Sequence, residues 1–286
     1  MQDEQQRDDR GDEYKPYRMR KLSYAGTFQN PAKAAAIRTI EWLTGKYTLL
    51  RLIRKFERTG VPEGQAFFTK ALKTMGISVT TSAEQIARIP LTGPLVVVAN
   101  HPHGLVDGLV MGELVGRVRT DYKILTRSLL TGIPEIEHHM LPVPFPHEEN
   151  AREQSLEMRN MCMRHLKDGG VIILFPAGRV ATSEGFFGPA VEPEWNPFTA
   201  KMVTRSGASV LPIFFPGSNT RIYHIADKIS ATLRQGLLLH EIYAALNKAQ
   251  APVIGDPIPA EAIRAYGTDT RSLLAWLRQT TLALGR

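Results

Sequence analysis

Three nearly unbroken apolar runs, Pro94–Ala99, Val171–Phe175 and Ser209–Phe215, constrain this chain most. Each is too short for a core helix and carries no polar alternation. Such runs read as strands buried on both faces, the habit of parallel sheets. Segments with helical spacing lie between and after them: Leu105–Val118, Glu148–Lys167 closed by Gly169 and Gly170, Asn196–Arg205, Thr232–Asn247 and Thr270–Leu284. Tyr122–Leu125, Met140–Val143 and Pro252–Ile254 read as shorter strands. Strands alternating with helices imply an α/β fold with a mostly parallel central sheet flanked by helices. With 286 residues, 43% of them hydrophobic, the chain can close one large core.

The front of the chain differs. Residues 1–20 are dense in Asp, Glu, Arg and Gln, have no apolar h-region, and read as a flexible charged tail. Residues 21–60 contain Ile37, Ile40, Leu43, Tyr47, Leu50 and Ile53 at helical steps, with Trp42 beside the stripe and Arg38, Lys46, Arg51, Arg54, Lys55 and Arg58 on other faces. Gly45 predicts two helices or a kink. Such a basic amphipathic segment either docks on a membrane or packs on the domain with a solvated face. Residues 61–286 form the remaining domain. The formal charge of +7 suits an anionic leaflet or a nucleic acid. No nucleic-acid module or aromatic platform is evident, so nucleic acid is not expected. No stretch approaches the roughly 20 apolar residues that span a bilayer. The single cysteine, Cys162, excludes an internal disulfide and suits a reducing compartment.

The chemistry is concentrated at Asn100-His101-Pro102-His103-Gly104-Leu105-Val106-Asp107-Gly108, where a strand ends and a helix begins. Ligands of open α/β sheets gather beyond such strand ends. Pro102 keeps His101 extended, at the strand tip. Gly104 permits a tight turn, and Asp107 falls in the first helical turn. A carboxylate on one imidazole nitrogen makes the other a better base. Two alternatives stand: His103 and Asp107, four apart, can pair on the helix, and His101 can be a satisfied structural histidine. The chain has no Gly-x-Ser-x-Gly elbow and no Walker or Rossmann glycine pattern. Glu137-His138-His139 has no complementary set at a recognised spacing, so no metal is expected.

The segment resembles the first motif of the glycerolipid acyltransferase superfamily, Asn-His, four residues, then Asp. Here five residues separate His101 from Asp107, a form similar to the hemolysin-like branch that includes lyso-ornithine lipid acyltransferases. Phe175-Pro176-Ala177-Gly178-Arg179 resembles the superfamily's Phe-Pro-Glu-Gly-Thr-Arg block, with Ala177 for the acid and Arg179 one place early. Val210-Leu211-Pro212-Ile213 is similar to the late strand motif. Gly217-Ser218-Asn219-Thr220-Arg221 resembles the branch's Gly-x-Asn-x-Arg stretch.

The resemblance implies an O-acyltransferase that moves a fatty acyl group from acyl carrier protein or coenzyme A to a lysolipid hydroxyl. His101 would be the general base and Asp107 its support, with oxyanion donors near Gly104 or in the Pro176–Gly178 turn. Gly104, Phe175, Pro176, Gly178, Arg179 and Pro212 would line or build the substrate site. Arg179 otherwise reads as a loop arginine. Asn219 and Arg221 either hold a head group or form a turn. Arg127 and Arg152 are candidates for acceptor or carrier contact. No cofactor beyond the thioester co-substrate is expected. The altered Phe-Pro block favours a lyso-aminolipid, such as lyso-ornithine lipid or a related amino-acid or sulfur-containing lipid. Lysophosphatidate is the alternative acceptor, and a non-catalytic basic lipid-binding protein is the alternative class. The expected location is peripheral, on the cytoplasmic face of the inner membrane.

Overall fold

A computed structural model of the chain describes residues 22–27, 30–126, 130–144 and 150–286. Its centre is a six-stranded sheet. In chain order the strands are β1 (Leu95–Ala99), β2 (Tyr122–Thr126), β3 (Met140–Pro142), β4 (Val171–Leu174), β5 (Ser209–Phe214) and β6 (Val253–Ile254). Their spatial order is β6-β5-β1-β4-β2-β3. Every pairing is parallel except β6 with β5. The expected architecture is the one found.

β1 sits between β4 and β5, with Leu95 opposite both Val171 and Ser209, and is buried along its whole length. Successive residues face opposite layers. Val97 packs with Phe68, Val110 and Met111 on one face. Val96 and Val98 pack with Cys162, Trp195 and Leu277 on the other. Burying each such valine or isoleucine fully is worth about 1.5–3 kcal/mol relative to exposure. Pro212 sits inside β5 opposite Val98. Its carbonyl accepts the Gly255 N–H at 2.9 Å. Lacking an N–H, proline returns no bond, and β6 ends there.

Helices Gln65–Thr74 and Arg221–Ile229 have no counterpart in the sequence reading. The single helix expected over Thr232–Asn247 is instead two, Ala231–Gly236 and Leu238–Ala245.

The front segment is a helical hairpin, Pro31–Leu43 and Lys46–Arg58, broken at Gly45 with φ +125°. A Cβ at Gly45 would lie 2.9 Å from the Tyr243 ring base, so the close packing and the backbone both require glycine. Buried Glu41 accepts from the Ser23 hydroxyl, the Tyr24 N–H and the Lys46 ammonium, tying the hairpin to the residues before it. The apolar stripe divides between two roles. Ile37, Leu49 and Leu50 are buried in the body, whereas Trp42, Leu43 and Tyr47 are exposed at the bend. No helix among the described residues is long and apolar enough to cross a membrane.

Candidate active site

β1 delivers His101 to the sheet's carboxyl edge. Asn100, just past β1, extends the ladder with its side chain. Its amide donates to the Phe215 carbonyl at 2.9 Å, and its oxygen accepts the Phe215 N–H at 2.7 Å. The chain then turns at Gly104, whose φ of +74° excludes most other residues, into helix Leu105–Gly116.

That turn folds Asp107 back under the imidazoles. Asp107 is fully buried. Its Oδ2 lies 3.0 Å from His101 Nδ1 and accepts the N–H groups of His103 at 2.8 Å and Gly104 at 3.1 Å. Its Oδ1 lies 3.0 Å from His103 Nδ1. Burial alone would raise the Asp107 pKa, but the hydrogen bonds and charges of the two histidines outweigh it and hold the carboxyl below its ordinary value. An ionised carboxylate only accepts, so both Nδ1 atoms carry the proton. In the neutral ring of His101 the lone pair is then on Nε2. At His103, burial works against the charge, but Asp107 prevails and its pKa is raised.

Phe175, immediately after β4, stacks on the His101 ring with centroids 4.0 Å apart and planes 20° apart. An aromatic face against the imidazole fixes its tilt. The segment between Pro176 and Trp195 is fastened around the same histidine. The Ala181 N–H donates to the His101 carbonyl at 2.9 Å. The Glu192 Oε2 accepts the His101 N–H at 3.1 Å, and its Oε1 accepts the Trp195 indole N–H at 3.1 Å. Burial pushes the Glu192 carboxyl pKa up, and those hydrogen bonds oppose the shift only in part.

His101 opens onto a cleft of about 370 Å³. That volume is in the range of small-ligand sites, about 300–1,000 Å³. Arg179 is exposed on its wall and makes no ion pair among the described residues. Much of the lining is apolar, including Leu125, Leu130, Val143, Met158, Leu174 and Phe198.

A buried carboxylate on a strand-tip imidazole, facing such a cleft, suits transfer chemistry without a serine nucleophile. Residues 37–268 match the family model described as acyltransferase. The chain belongs to the acyltransferase family. The lyso-glycine lipid O-acyltransferase of Phocaeicola vulgatus is 25% identical over 181 residues, covering 61% of this chain and 62% of that protein. Its namesake from Bacteroides thetaiotaomicron is 24% identical over 181 residues, covering 61% and 64%. The chain thus spans less than two thirds of either relative's length. The crystal structure of the 1-acyl-sn-glycerophosphate acyltransferase PlsC from Thermotoga maritima aligns with 87% of this chain and 95% of that one, at a TM-score of 0.49 and 13% identity.

In this family member, His101, Gly104, Phe175, Pro176, Gly178 and Arg179 all meet at the cleft, with Asp107 directly behind His101. The other sequence candidates lie elsewhere. Pro212 is buried within β5, outside the cleft lining. Asn219 is buried, and its Nδ2 has no partner among the described residues. Arg221 starts helix Arg221–Ile229 and donates to the Gly188 carbonyl at 2.7 Å, bracing the ribbon that Thr182–Ser183 makes with Ala190–Val191. Arg152 is exposed on helix Ala151–Lys167, also outside the cleft lining. Arg127 falls outside the described residues. The Gly104 N–H is bound to Asp107 and the Gly178 N–H to the Phe175 carbonyl, so a donor near Gly104 or in the Pro176–Gly178 turn has to be a neighbouring N–H.

The pairings His101–Asp107 and His103–Asp107, alternatives in the sequence, coexist. Spacing could suggest either, but only the turn shows that one carboxylate serves both. Glu192 has no signal in the sequence. It contacts His101 across 91 positions, and nothing local distinguishes it from Glu194.

Proposed function

We propose that this chain is a lysolipid O-acyltransferase in membrane lipid synthesis, with His101 as general base. The observation that carries this reading is His101 held through Nδ1 by ionised Asp107, on a cleft whose lining combines Arg179 with apolar walls. The donor is an acyl thioester of acyl carrier protein or coenzyme A. His101 Nε2 takes the proton of the acceptor hydroxyl as its oxygen attacks the thioester carbonyl. Asp107 stabilises the imidazolium that forms, and the Phe175 face holds its tilt. The Leu105 N–H, at the open first turn of its helix and on the cleft lining, serves as oxyanion donor. The C–S bond then breaks, and the leaving thiolate takes the proton back from His101. Atoms balance with no covalent enzyme intermediate and no further cofactor. The fatty chain lies along Leu125, Leu130, Val143 and Met158.

The acceptor of this reading is a lyso-aminolipid. An amino-acid head group offers a carboxylate for Arg179, which makes no ion pair among the described residues, and the two curated relatives named for lyso-glycine lipid support that class. Lysophosphatidate is the second candidate. The exposed Trp42, Leu43 and Tyr47, flanked by Arg51 and Arg54, seat the enzyme peripherally on an anionic leaflet, the cytoplasmic face of the inner membrane. The test is incubation of purified protein with labelled acyl-CoA or acyl carrier protein and a panel of lysolipids. Diacyl product from lyso-ornithine or lyso-glycine lipid is expected. Product from lysophosphatidate alone would transfer the function to the second candidate. No product from any pair would leave a non-catalytic lipid binder.

A further inference from the structure

We propose that Glu192 is a positioning residue for His101, and that the segment between Pro176 and Trp195 is the mount on which the base is held. This inference rests on the general-base reading above. A strand tip is the least constrained part of a sheet. Beyond Ala99 the ladder stops, and the Asn100 side chain supplies its last bonds, to Phe215. At His101 both main-chain groups leave the sheet and bind one distant segment. Ala181 donates to the carbonyl, and Glu192 accepts from the N–H. The imidazole is therefore fixed by three independent sets of contacts: Asp107 at Nδ1, Phe175 on its face, and this clamp on its backbone.

Glu192 is suited to the task by its own surroundings. It is buried. Each of its two oxygens receives one N–H, from His101 and from the Trp195 indole. Its main-chain carbonyl accepts from the Arg278 guanidinium, which also binds the Pro193 carbonyl at 3.1 Å, so helix Thr270–Ala283 anchors this arm. The Asn196 N–H donates to the Pro176 carbonyl at 2.9 Å, closing the segment on itself. The same segment carries Gly178 and Arg179 on the cleft wall. A carboxylate satisfies two facing donors at once, whereas a carboxamide offers only one oxygen.

The experiment compares wild type, Glu192→Leu, Glu192→Gln and His101→Gln in steady-state acyl transfer, with the folded fraction measured for each. Small misplacements of a catalytic group cost up to about a hundredfold. Glu192→Leu is expected to lower kcat by roughly ten- to a hundredfold with both KM values nearly unchanged. Glu192→Gln should recover part of that loss. A purely structural role would lower the melting temperature and leave kcat per folded molecule unchanged. That result, or equal kcat in the leucine and glutamine variants, would overturn the proposal. If Glu192→Leu does not fold, Glu192→Gln is compared with Glu192→Gln/Trp195→Phe. Removing the competing indole donor should raise kcat, and an unchanged kcat overturns the proposal. Inactive wild type, or a fully active His101→Gln, would instead bring down the general-base reading and this inference with it.

Discussion

Replacing Asp107 with asparagine removes a charge and leaves the shape of the side chain. Three N–H groups now meet Oδ2, and one meets Oδ1. An asparagine oxygen at the Oδ2 position keeps the first three. Its amide can donate to His103 Nδ1 in the other neutral tautomer. The turn and the His101 tautomer therefore survive, and the loss falls on the charge that faces the imidazolium. Two unit charges about 4 Å apart interact by about 4 kcal/mol at an effective dielectric of about 20. At about 1.4 kcal/mol per factor of ten, kcat should fall roughly a thousandfold. KM should hold, because Asp107 lies behind His101 and does not line the cleft. Thiol release from acyl-CoA, or product formation from acyl carrier protein, measures both parameters, and circular dichroism checks the fold. A folded Asp107→Asn enzyme that loses less than about tenfold in kcat would refute this account of the dyad.

Gly104→Ala should destabilise the fold by about 1–3 kcal/mol, the usual cost of strained backbone. The added Cβ would sit 3.4 Å from Val180, an ordinary contact, so the cost is conformational. An unchanged urea midpoint would contradict this. The His103 pKa is raised above its ordinary 6.5, so its protonated form stabilises the fold fully below 6.5, and that contribution disappears as pH rises through the folded-state value. The stability difference between wild type and His103→Gln should shrink over that window in denaturant titrations, and a pH-independent difference would count against it. Replacing Trp42, Leu43 and Tyr47 together with serine should weaken sedimentation with anionic vesicles, and added salt should weaken wild-type binding. Binding unaffected by either change would remove the proposed docking face.

The sheet was legible because its central strands are apolar on both faces, so Leu95–Ala99 and Val171–Leu174 stand out without any partner in view. The turn from His101 to Asp107 was legible because Pro102 and Gly104 restrict the backbone locally. Gly45 marked the break in the front hairpin for the same reason. What escaped depends on distance. The clamp on His101 joins it to Ala181 and Glu192, residues that only the closed segment brings near. The burial of Ile37 and Leu50 and the exposure of Leu43 and Tyr47 follow from which side of each helix meets the body, which the helical period alone does not specify. Arg221 carried a motif resemblance, yet its guanidinium is directed to the Gly188 carbonyl.

The most direct measurement is acyl transfer by folded His101→Gln with the acceptor that wild type acylates best. This account predicts turnover lowered by several orders of magnitude at every pH, with donor and acceptor still bound. Turnover close to that of wild type would contradict it.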